Sequence, residues 1–68
     1  MNYQVTLTTD PQTVGQYTFK LLETKKNQQP TVMISSLDQT EQFNFPISQK
    51  QTQGWQGPNG THYELTLA

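Results

Sequence analysis

The 68-residue chain contains no cysteine and no arginine. Without cysteine, no disulfide can staple the fold, no thiolate is available to a soft metal, and the redox compartment leaves no mark on the sequence. Without arginine, the cations are Lys20, Lys25, Lys26 and Lys50, none of which offers the bidentate fork that reads phosphate or guanine. Nucleic acid is therefore not an expected partner. Residues 1–10 lack the basic start and apolar stretch of a secretory leader. No apolar run approaches the roughly 20 residues of a membrane-spanning helix, so no membrane association and a cytoplasmic location are expected.

Charge is scarce as well: charged residues make up 13% of the chain and the net charge is -1. Disorder of a whole chain usually combines low hydrophobicity with high net charge, and only the first applies here. The polarity comes instead from Gln and Thr, which recur throughout. At this length there is room for one core, so residues 1–68 are read as a single small domain. With 31% hydrophobic residues and no covalent staple, the monomer should be marginally stable. Formation of a homodimer would be one remedy.

Residues 3–8 alternate Tyr3, Val5 and Leu7 with Gln4, Thr6 and Thr8, the period of a half-buried strand. Asp10-Pro11 ends it. Residues 13–26 support two readings. As a helix with Asp10 as N-cap and Pro11 at the first position, they place Val14, Tyr17, Leu21 and Leu22 on one face. As a strand, they place Tyr17, Phe19 and Leu21 on one face and Thr18 and Lys20 on the other. Tyr-Thr-Phe suits a pleated surface better, so the strand is preferred.

Lys25 to Pro30 reads as a polar loop, and Val32 and Ile34 lie in phase on a strand from Thr31 to Leu37. After turn residues Asp38 to Thr40, Phe43, Phe45 and Ile47 line one face of the next strand. Pro46 puts that strand at a sheet edge or ends it there. Ser48 to Gln56 has no evident period and reads as a loop ending in Gly54-Trp55. Pro58-Asn59-Gly60 is a strong turn signal. A last strand follows from Thr61 to Leu67, with Tyr63, Leu65 and Leu67 inward and His62, Glu64 and Thr66 outward. The expected fold is mainly β, a small five-stranded barrel or sandwich. If residues 11–26 are helical, the order becomes β-α-β-β-β and the class α+β.

Chemistry-bearing patterns are few. His62 is the only imidazole, and Ser35, Ser36 and Ser48 stand in no nucleophile frame around it. His62 with Glu64 is the one adjacent acid-base pair that could be nominated for catalysis. Asp10 and Asp38 have local work in turns, and Asp38 to Glu41 lacks the oxygen density of a calcium loop. Gly54, Gly57 and Gly60 form no phosphate loop, since Trp55 and Pro58 interrupt them and no lysine follows. Asn59-Gly60-Thr61 fits a glycosylation sequon. Tyr17, Phe19, Phe43 and Phe45 would form a stacking platform only beside a basic funnel, so core packing is the better account of them.

These readings lead to a non-enzymatic protein-interaction module without metal or cofactor. It would meet a protein partner or a second copy through the strand at Phe43 to Ile47 or through the Trp55 loop. The binding candidates are Phe43, Phe45, Trp55, Gln56 and Asn59. The alternative is a small-ligand or carbohydrate-binding module that presents the Trp55 indole to a sugar ring.

Overall fold

The computed structural model describes residues 2–23, 25–47 and 52–68. Among them there is no helix, and seven strands occur in chain order: β1 Asn2–Leu7, β2 Gln12–Val14, β3 Tyr17–Leu21, β4 Thr31–Ser36, β5 Gln42–Pro46, β6 Gln53–Gln56 and β7 His62–Leu67. They form two sheets, a three-stranded β1-β7-β6 and a four-stranded β2-β3-β4-β5. The all-β expectation holds, with two strands more than the five expected.

The helical alternative for residues 11–26 is overturned by a hairpin. Val14 pairs with Tyr17 and Gln12 with Phe19, leaving Gly15-Gln16 as a two-residue turn. Gly15 takes a φ of 63°, as the first central position of a type II′ turn requires. The hydroxyls of Thr13 and Thr18 meet across the pair at 3.0 Å. The second correction concerns residues 48–56. Ser48 to Gln51 lie outside the described residues, but Gln53–Gln56 is a strand rather than a loop. Its inward residues Gln53 and Trp55 face Leu65 and Tyr63, so the period of two was present but carried by only one large apolar side chain.

In the four-stranded sheet all pairings are antiparallel, and Phe19, Ile34 and Phe43 lie in a row across β3, β4 and β5. In the three-stranded sheet β6 is antiparallel to β7, whereas β1 and β7 run parallel in a register of Tyr3 with Tyr63, Val5 with Leu65 and Leu7 with Leu67. A parallel neighbour needs a long crossover, and here the crossover is the rest of the fold. The buried core comprises Val5, Leu7, Tyr17, Phe19, Val32, Ile34, Ile47, Tyr63 and Leu65. It lies between the two sheets, with Trp55 packed against it.

The sheets are joined on one side and not on the other. The Leu21 N–H donates to the Thr8 carbonyl at 2.9 Å, and the Gln12 side-chain amide donates to the Thr6 carbonyl at 2.6 Å, so β1 is tied to the β2–β3 hairpin. On the opposite side, β5 ends one sheet and β6 the other, with no ladder between them among the described residues. The sheets therefore do not close into a barrel.

Candidate functional site

Six aromatic rings gather near one end of the core. Tyr3 stacks on Tyr63 with centroids 5.4 Å apart, and Trp55 lies 5.5 Å beyond Tyr63, forming a ladder across β1, β7 and β6. From the other sheet Tyr17 and Phe19 meet Trp55 edge-on at 5.0 and 6.1 Å, and Phe43 approaches it at 5.6 Å. Edge-to-face contacts of this kind add to area burial. The Trp55 indole thus faces inward, on a strand and among four rings of its neighbours.

Ladder phase determines what the open side offers. Ser36 N–H donates to the Glu41 carbonyl and Ile47 N–H to the Pro30 carbonyl, bracketing β5. Antiparallel alternation then turns the backbone groups of Phe43 and Phe45 toward β4 and those of Gln42, Asn44 and Pro46 toward the outer edge. Pro46 sits where its missing N–H costs no ladder bond, as the edge reading anticipated. In β6 the Gly57 N–H donates to the Thr61 carbonyl, so by the same alternation Gly54 and Gln56 present their backbone groups outward. Among the described residues the side between β5 and β6 is thus bordered by two edges without a neighbouring strand, with the half-buried Phe43, Phe45 and Trp55 between them.

No family model, curated protein or solved structure matches the chain. The geometry alone therefore carries the functional argument.

Of the residues nominated from the sequence, Phe43 and Trp55 come into ring contact. Phe45 lines the same side two residues along β5, and Gln56 is exposed on β6. Asn59 is set apart, at the tip of the β6–β7 turn. There the Gly60 N–H donates to the Gly57 carbonyl, Asn59 Oδ1 accepts from the Thr61 N–H at 3.1 Å, and Gly60 has a φ of 86°, the pattern of a type I turn closed by a left-handed residue.

This turn converges with those of β2–β3 and β4–β5 around an end cavity of about 610 Å³, lined by Gln16, Tyr17, Leu37, Asp38, Glu41 and Asn59 among others. Asp38 Oδ1 accepts from Ser36 Oγ at 2.8 Å, Thr40 Oγ1 at 2.8 Å and the Thr40 N–H at 3.1 Å. Bonds from Thr40 and Ser36 hold its carboxyl below the usual value. Burial, then the charge of Glu41 and the neighbouring Tyr63, pushes the Tyr17 phenol up. Sequence reasoning placed Tyr17 in the core and Asp38 in a turn, but had no signal that the two would share a cavity with Asn59.

The His62–Glu64 pair lies on the outer face of the three-stranded sheet, Nε2 to Oε1 2.6 Å. Gly54 makes room for it, since a Cβ there would stand 2.9 Å from His62 Cε1. Among the described residues no three His, Cys, Asp or Glu side chains gather as metal ligands, and no helix is long and apolar enough to cross a membrane.

Proposed function

We propose that this chain is a non-enzymatic interaction module that accepts an extended segment of a protein partner, a second copy of itself included, as an added strand on the outer edge of β5. The observation that carries this reading is the ladder phase, which leaves the backbone groups of Gln42 and Asn44 turned outward. Edge strands that must stay unpaired are usually protected by charge, by proline or by being very short, and β5 carries one of these, Pro46 at its end, with no charge along the rest. The side chains of β5 are Gln42, Phe43, Asn44, Phe45 and Pro46, all uncharged. Strand addition draws affinity from main-chain bonds and specificity from alternate side chains, for which Phe43, Phe45 and Trp55 supply an apolar wall. The carbohydrate alternative has less support, because the indole is half-buried and packed against four other rings.

The test combines sedimentation equilibrium over a wide concentration range with amide exchange, repeated in the presence of extended peptides selected from a displayed library. Self-association or peptide binding that slows exchange at Gln42 and Asn44, and is lost in Asn44→Pro, is the expected result. Fast exchange at both amides in every sample would overturn the reading. Asn44→Pro removes only an outward N–H, so its monomer should remain folded.

A further inference from the structure

The outer edge of β5, where the reading above places an added strand, is complementary to itself. Gln42 and Asn44 are exposed and turn their N–H and C=O groups outward, and the half-buried Phe43, whose own backbone groups face β4, lies midway between them. An antiparallel copy that keeps the inner faces of both sheets on one side can be centred on Asn44, Gln42 or Phe43. Centred on Asn44, it sets Gln42 opposite Pro46, so each Gln42 carbonyl meets a residue without an N–H and proline enters a continuous sheet, where it is rarely found. Centred on Gln42, it sets Asn44 opposite Thr40, in the turn before β5, and offsets the two Glu41 carboxylates by about 7 Å along the strand, inside the screening length of about 8 Å. Centred on Phe43, Gln42 of each copy faces Asn44 of the other and every outward N–H and C=O of both residues is bonded. Pro46 then lies beyond the paired residues, and the Glu41 carboxylates are offset by about 14 Å.

We infer that the segment received by β5, on the strand-addition reading, is the β5 of a second copy, antiparallel and centred on Phe43 in a two-fold dimer. Pairing of one patch with itself about a two-fold axis is the commonest oligomeric arrangement. β5 is uncharged, so it gives a charged segment no counter-charge, and a copy of itself brings no like charge. The axis makes Phe43 a non-hydrogen-bonded pair with its own copy, the pair type whose side chains approach closest. The row of Phe19, Ile34 and Phe43 across β3, β4 and β5 then continues through the same three residues of the second copy, and two four-stranded sheets become one. Trp55, 5.6 Å from Phe43, backs the new aromatic pair from the facing sheet. On the outer face each Gln42 amide lies beside an Asn44 amide of the other copy, and each can both donate and accept.

The experiment is disulfide mapping, for which the chain brings no cysteine of its own. Hydrogen-bonded antiparallel pairs hold their Cα atoms about 5.5 Å apart, within disulfide reach, whereas diagonal neighbours at about 7–8 Å lie beyond it. Gln42→Cys and Asn44→Cys, both at exposed side chains, are oxidised alone and as an equimolar mixture, at a concentration where sedimentation equilibrium shows the parent chain to associate. A disulfide from position 42 of one copy to position 44 of the other, severalfold more abundant than either self-linked product, is expected, with amide exchange at Gln42 and Asn44 slowing as concentration rises. Preferential self-linking of either variant, or a statistical mixture of the products, would overturn the inference. A chain that stays monomeric at millimolar concentration would overturn it as well. In that case, selected peptides that still protect Gln42 and Asn44 would leave strand addition standing with a different occupant, and peptides that protect neither would remove both readings.

Discussion

Gly15 and Gly60 both hold positive φ, at 63° and 86°, and they differ in what surrounds them. A Cβ on Gly15 would stand 2.6 Å from the Tyr63 hydroxyl and 3.2 Å from the Tyr3 ring, whereas one on Gly60 would meet nothing within 4 Å. Gly60→Ala should therefore cost only the left-handed backbone penalty, about 1 kcal/mol. Gly15→Ala must also displace the stacked tyrosines and should cost about 2–3 kcal/mol. Urea midpoints at unchanged slope would show that order.

Two ionisable residues, Asp38 and Tyr17, are shifted from their ordinary values and so contribute to the pH dependence of stability. Asp38 has a folded pKa below its ordinary value of 3.8, so the native state binds fewer protons than the unfolded chain between the two values. Its contribution is present above 3.8 and lost as the pH falls through the folded value, and Asp38→Asn should remove that part of the acid limb. Tyr17 is shifted the other way, above 10.0. Its contribution is intact below 10.0 and lost as the pH rises through the folded value, so Tyr17→Phe should flatten the alkaline limb.

Among elements, β6 shows how a short strand can matter more than its length suggests. It contributes four residues, yet Trp55 touches Tyr17, Phe19 and Phe43 of the facing sheet and Tyr63 of its own. Trp55→Ala is expected to cost about 3–5 kcal/mol, read as a lowered melting temperature. It would therefore be a poor probe of binding, and Asn44 on the β5 edge is the better handle. Strands β1, β3, β4, β5 and β7 were legible because each carries two or three apolar residues at a period of two. β6 was not, since glutamines and Gly54 surround its one tryptophan. β2 was hidden because a three-residue strand is too short to show a period, and its Pro11 start also satisfies helix-capping rules. Pro46 pointed from sequence to a sheet edge or a strand end, and it stands at both. The partner edge of β6, and the end cavity that unites Tyr17 with Leu37, Asp38 and Asn59, depend on contacts between distant turns that no local pattern encodes.

At the scale of the molecule, the chain is tied into one body by the core and by two backbone links at the end of β1, Leu21 N–H to Thr8 and Ala68 N–H to Leu7, at 2.9 and 3.2 Å. The parallel register sets Asn2 beside His62 and Leu7 beside Leu67, so the two ends of the described chain emerge from opposite ends of one strand pair. A load applied at those ends pulls β1 and β7 past each other along their length, and the ladder bonds must yield together. Pulling at Asn2 and Thr61, which lie at the same end, would peel them apart in succession. Because the chain has no native cysteine, Asn2→Cys with Ala68→Cys, or with Thr61→Cys, provides unique handles for a single-molecule force measurement. The first pair should unfold at distinctly higher force than the second. A tether running through this domain would then be gripped by its first and last strands, giving a small uncrosslinked protein mechanical strength in the direction along which its own chain would pull.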